Sequence, residues 1–155
     1  MTGEIDARLT ALNIELPDAP APAANYVPFV LSGNLVFVSG QVPWVGGERN
    51  FVGKVGIDYT VDEGQDAART VALNIIAQVK AACDGDLDRV VRCIKLGGFV
   101  NCPDNFHQQP QVINGASDLM VDVFGDAGRH SRFAVGAPAL PFNVAVEIDA
   151  VFEVR

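Results

Sequence analysis

The most regular hydrophobic pattern in the chain lies at its end. Apolar Val144, Val146, Ile148, Ala150, Phe152 and Val154 alternate with Ala145, Glu147, Asp149, Val151 and Glu153. A period of two predicts a strand with one greasy face and one largely acidic face. Arg132 to Ala137 is a shorter apolar strand. Residues 138–141, PALP, join the two, and their prolines cannot donate ladder hydrogen bonds. An antiparallel hairpin about that loop would set Arg132 opposite Glu147. A guanidinium beside a carboxylate near a sheet edge reads as a site for a carboxylate ligand or as an ordinary cross-strand ion pair. The residues alone leave both readings open, the ion pair favoured.

Two segments carry the helical period instead. Thr60 and Glu63 have capping-box spacing, and Ala68, Ala72, Ile75, Val79 and Ala82 then share one face, with Val71 and Ile76 alongside. Gly85 is a plausible stop. Pro110 is expected at the first position of a second long helix, whose buried stripe is Val112, Ile113, Ala116, Leu119, Met120, Val123 and Phe124. Gly125 and Gly128 close it. A short helix is expected over residues 2–12, capped by Thr2, with Ile5, Leu9 and Leu12 on one side.

The remaining segments read as strands and connections. Residues 15–28 hold four prolines and form an extended arm. Val27–Ser32 and Leu35–Gln41 flank a Gly33-Asn34 turn, and Pro43 prevents the second strand from continuing in a central ladder. Residues 45–58, with four glycines, read as a loop. Arg89–Asn101 is strand-like, and Gly97-Gly98 within it marks a bulge or a close backbone approach. The order is strand, strand, helix, strand, helix, strand, strand. That is an α+β layout, with one sheet carrying two long helices on one face. Leu35, Val36, Phe37 and Val38 place apolar side chains on both sides of their strand, so a second subunit is expected over the open face.

Composition narrows the function classes. A length of 155 residues is expected to form a single domain, residues 1–155, with residues 1–19 as an N-terminal extension carrying the short helix. With 49% hydrophobic and 19% charged residues the chain is a globular protein, and no apolar run reaches membrane-spanning length. The N-terminus lacks the basic-then-apolar layout of a signal peptide, so a cytosolic location is expected. A net charge of -8 disfavours nucleic acid and anionic membranes as partners. Cys83, Cys93 and Cys102 show no Cys-x-x-Cys pattern, and His107 and His130 have no partner at ligand spacing, so no metal is expected.

An ordered set of short motifs carries a family resemblance. It comprises Pro22-x-x-Asn25-Tyr26, then Ser39-Gly40-Gln41-Val42-Pro43, Ala67-Ala68-Arg69 with Leu73-Asn74, Asn105-Phe106, and Arg132 followed by Leu140-Pro141 and Val146-Glu147-Ile148-Asp149-Ala150. Over roughly residues 20–155 the chain resembles the RidA/YjgF family of reactive-intermediate deaminases. The resemblance implies a chorismate-mutase-like α+β unit assembled as a homotrimer around a central barrel, with ligand sites in the clefts between subunits. It implies hydrolysis of 2-imino or 2-enamino acids to 2-keto acids and ammonia, without metal or organic cofactor. By the same resemblance Arg132 grips a small-molecule carboxylate and Glu147 positions the attacking water. Tyr26, Ser39, Gly40 and Asn114 contribute to substrate binding. Phe133-Ala134 stand where active members often carry Ser-Cys, so Phe133 is expected to make the pocket bulkier and the chain to belong to a divergent branch. A non-catalytic trimer binding a carboxylate metabolite is the alternative. The ribonuclease label sometimes attached to the family fits poorly with the acidic charge and the lack of a paired acid/base histidine.

Overall fold

The computed structural model describes residues 3–21 and 24–155. Helix α1 spans Glu4–Ala11, α2 Val61–Ala82 and α3 Gln109–Phe124. The strands are β1 Phe29–Ser32, β2 Leu35–Gln41, β3 Trp44–Val45, β4 Glu48–Arg49, β5 Val90–Asn101, β6 Ser131–Ala137 and β7 Val146–Val154. Five of them form one mixed sheet in the order β1-β2-β7-β5-β6, and β3 and β4 make a separate small hairpin.

Both long helices form as their patterns require. Thr60 accepts from the Glu63 backbone N–H and the Glu63 carboxylate accepts from the Thr60 N–H, which completes the capping box of α2. Ala67, Ala68, Val71, Ala72, Ile75, Ile76 and Val79 are buried with Val112, Ile113, Ala116, Leu119 and Met120 of α3 in one core cluster. The small residues of α2 permit a close crossing: a Cβ on Gly115 of α3 would strike the Gln65 backbone carbonyl. The inner sheet face completes the core with Val36, Leu96, Ile148 and Phe152, each fully buried. Each such side chain contributes about 1.5–3 kcal/mol through burial.

Four expectations are corrected. The expected β6–β7 hairpin does not form. β6 pairs in parallel with β5, and β7 lies between β2 and β5, antiparallel to both. A local turn through residues 138–145 would have to place β6 beside β7, but β5 offers β7 nine paired positions there and α3 carries the chain back for a parallel β6. Arg132 is therefore level with Leu96, and Glu147 with Phe99. Second, the glycine-rich stretch read as loop contains the end of β3 and all of β4, closed by a turn at Gly46 and Gly47 where both φ angles are positive. Third, the register shifts of β5 fall at Val90/Arg92 and Cys93/Lys95, and Gly97-Gly98 is regular. The close approach at these glycines is to side chains: a Cβ on Gly97 would meet Asp149 and Phe133, and one on Gly98 would meet Ile113. Fourth, Pro110 occupies the second rather than the first position of α3.

The expected Thr2 cap lies outside the described residues. Helix α1 begins after Gly3, and the Asp88 carboxylate accepts from the Glu4 and Ile5 N–H groups at 2.8 and 2.9 Å. The opposite sheet face carries Val30 and Phe37, with Phe99 and Val135 further along, each 38–51% exposed. This apolar second face is the one the two-sided pattern of β2 predicts.

Candidate functional site

Side-chain alternation divides the sequence-predicted residues between two places. Arg132 is level with fully buried Leu96, so it leaves the sheet on the helix side. There its Nη1 donates to Ser117 Oγ at 3.0 Å and its Nη2 to the Pro110 carbonyl at 3.2 Å. Pro110, Asn114 and Ser117 recur at steps of four and three along α3, so Asn114 lies on the strip that anchors the guanidinium. No carboxylate among the described residues pairs with Arg132. Both of its contacts are to neutral oxygens.

Ser117 also meets His130. His130 Nε2 is 2.9 Å from Ser117 Oγ and Nδ1 is 2.7 Å from the Gly128 carbonyl. With Nδ1 donating, the tautomer is fixed and Nε2 accepts from Ser117. The chain of donors runs Arg132 to Ser117 to His130 to Gly128. Burial lowers the His130 pKa; the hydrogen bond to Gly128 opposes the fall, and the nearby Arg132 charge adds a smaller lowering.

Glu147 occupies the other face. It lines a cleft of about 260 Å³ with Tyr26, Gly40, Trp44, Pro141 and Phe142 among its walls. The β2–β7 register shifts between Val38 and Gln41, and this irregularity carries Gly40 against the carboxylate. A Cβ on Gly40 would lie 2.8 Å from Glu147 Oε1. Burial raises the Glu147 pKa, and the Asp149 carboxylate two residues along the same face adds to the rise. A half-buried glutamate with a raised pKa is a stronger base than an ordinary carboxylate and is suited to taking a proton.

The remaining predicted residues sit around these two points. Tyr26 is 51% exposed and reaches the Glu147 cleft. Ser39 donates to the Val27 carbonyl at 2.8 Å, which ties β2 to the arm just after Tyr26. Phe133 points to the sheet face opposite Arg132, where it meets Phe99 edge-on at 5.3 Å with Lys95 over its ring. It therefore does not crowd Arg132 of its own chain, because adjacent strand residues face opposite ways. The structure thus brings Tyr26, Gly40 and Glu147 together, and Arg132 with Asn114, but it does not join the two sets within one chain. Sequence reasoning missed Ser117 as an anchor of Arg132, although its helical spacing from Pro110 and Asn114 was legible. It also missed Trp44 and Phe142 as cleft walls. Phe142 sits at φ 58°, a conformation unfavourable for a bulky side chain that no local motif signals.

The comparisons agree with this architecture. A family model described as "YjgF/chorismate mutase-like, putative endoribonuclease" matches residues 6–153. The chain belongs to the YjgF/RidA family. It is 51% identical over 157 residues to protein TCP17 of Trypanosoma cruzi, covering 99% of this chain and 96% of that protein. Among solved structures it resembles Atu1372 of Agrobacterium tumefaciens, a protein of unknown function, with 52% identity and a TM-score of 0.91 over 97% of this chain and 92% of that one. A Shewanella oneidensis protein given the same endoribonuclease description matches with 38% identity and a TM-score of 0.94, over 98% and 100% of the two chains. The chorismate-mutase-like fold expected from the motifs is thereby the fold of this YjgF/RidA chain.

Proposed function

We propose that this chain is a hydrolytic deaminase of 2-imino or 2-enamino acids, releasing a 2-keto acid and ammonia. The observation that carries the reading is the state of Arg132: its guanidinium is oriented by Ser117 and the Pro110 carbonyl, and its charge is left for a ligand carboxylate. Water adds to the imine carbon while Glu147 takes its proton. The nitrogen receives that proton, giving the neutral carbinolamine; its hydroxyl then passes a proton through Glu147 to the nitrogen as the C–N bond breaks, leaving ammonia and a keto group. The imine carbon is already electrophilic, so positioning and modest base strength are sufficient.

Arg132 and Glu147 lie on opposite sheet faces of one chain, so the reading requires the Arg132 set of one copy to meet the Glu147 cleft of another. The exposed apolar residues Val30, Phe37, Phe99 and Val135 are consistent with a homotrimer that covers the open face. A ribonuclease reading is disfavoured by the charge of -8, which opposes the phosphate contacts that RNA binding needs.

The test is ammonia release from 2-imino acids generated in place by an amino-acid oxidase. Arg132→Ala is expected to lower kcat/KM about 10- to 150-fold, the worth of a charged hydrogen-bonding anchor of about 1.5–3 kcal/mol. Saturable keto-acid binding without turnover by the wild type would point instead to a carboxylate-binding protein.

A further inference from the structure

Beside the Glu147 cleft lies a larger space of about 810 Å³. It is walled by arm residues 15–21, by Thr70, Leu73 and Asn74 of α2, and by β3 with its turn. Pro20, Ala21 and Trp44 line both spaces, so the two adjoin across a shared wall. The position of that wall is set from α2. Asn74, 1% exposed, donates to the Val42 carbonyl at 3.0 Å and to the Trp44 carbonyl at 2.9 Å. The Trp44 ring itself packs edge-on against Phe142 at 6.3 Å, and the Arg49 guanidinium lies 5.7 Å from it. Among the described residues, neither buried Trp44 Nε1 nor buried Asn74 Oδ1 has a hydrogen-bond partner, which is uncommon for polar atoms in a finished wall.

The lining of the large cavity is mainly apolar, with Leu16, Pro17, Ala19, Val45 and Leu73. Among the described residues, its charged side chains are the acidic Glu15 and Asp18. Such a cavity repels a second carboxylate and favours hydrocarbon. Its volume is that of a site for a whole small molecule, whereas the Glu147 cleft alone holds little more than a short amino-acid skeleton.

We infer that the site takes substrates with a long or bulky apolar side chain, the reacting carbon lying at Glu147 and the side chain passing Trp44 into the cavity beneath the arm. The inference rests on the reading of the Glu147 cleft as the reaction site. It names the class of substrate: one anionic head and one large hydrophobic tail. Trp44 and Asn74 act on specificity, Trp44 by touching the tail and Asn74 by positioning Trp44.

The test uses stable product analogues, the straight-chain 2-oxo acids from pyruvate to 2-oxooctanoate. Their binding is read by titration calorimetry and by the emission of Trp44, the single tryptophan of the chain. Affinity is expected to rise about fourfold for each methylene buried, the usual increment for hydrocarbon leaving water. Thr70→Phe on α2 and Ala19→Phe on the arm fill the cavity from opposite sides, and each is expected to flatten the series. Two variants guard against one that fails to fold. A flat wild-type series, or a length dependence that survives both variants, overturns the inference. Parallel ammonia assays on imines of the same chain lengths separate the two readings. Tail-dependent binding with no turnover of any imine removes the deaminase and leaves the cavity assignment standing. Turnover with no dependence on tail length does the reverse.

Discussion

Two titrating residues show how position in the sheet sets chemistry. Glu147 has a raised pKa, so its ionised form is disfavoured in the folded state. The resulting loss of stability is absent below the ordinary carboxylate pKa, grows as pH rises towards the folded value, and is complete above it. Glu147→Gln is expected to unfold at a higher temperature than wild type at pH 8 and at the same temperature near pH 3, as measured by calorimetry. The same variant is expected to lose about 10²- to 10⁴-fold in imine turnover, the usual worth of a general base. In wild type, the acid limb of the rate profile is expected above the ordinary glutamate range. His130 has the opposite sign: its lowered pKa favours the neutral ring in the fold. Stability present above the ordinary histidine pKa is therefore lost as pH falls through that value towards the folded one. His130→Gln, read by unfolding midpoints across pH 5–8, is expected to weaken that dependence.

At the scale of elements, the α2–α3 crossing and the strand order decide where the site falls. Replacing Gly115 with Ala would gain about 1 kcal/mol in helix propensity. The added Cβ meets the Gln65 backbone carbonyl, which cannot turn aside, so the helices must separate. Overpacking of this kind costs about 1–3 kcal/mol. Gly115→Ala is therefore expected to lower the midpoint of thermal unfolding by several degrees, and a gain in stability would show that the crossing is looser than drawn. Because α3 also presents Pro110, Asn114 and Ser117 to Arg132, the same shift is expected to weaken carboxylate binding. The helices were legible because a capping box and a continuous apolar stripe are local signals. The partner of β6 was not, because it is decided by β5 taking the edge of β7 and by the α3 crossover, neither of which is local to β6.

For the whole molecule, the open sheet face carries the main consequence. Phe37 on β2 is 46% exposed and faces away from the core, so a charge there is compatible with the folded chain. If copies assemble over this face as proposed, wild type is expected to sediment as a multiple of 16.5 kDa and Phe37→Glu as a folded species of 16.5 kDa. If the site joins residues from two copies, imine turnover falls together with assembly. Full turnover by a monomeric Phe37→Glu protein would show that one chain suffices.

The sequence by itself determined the five strands of the main sheet, the two long helices, the apolar faces of each and the family motifs, because each is written in a period or spacing of fewer than about a dozen residues. It also named Arg132 and Glu147 as candidates for a site. Only the tertiary structure decided that these two leave opposite faces of the sheet, that Ser117 and His130 stand behind Arg132, and that Trp44 divides two adjoining cavities. The physical reason is that alternation fixes a side chain's face relative to its own strand, whereas which strand lies beside it is settled by how long connections pack.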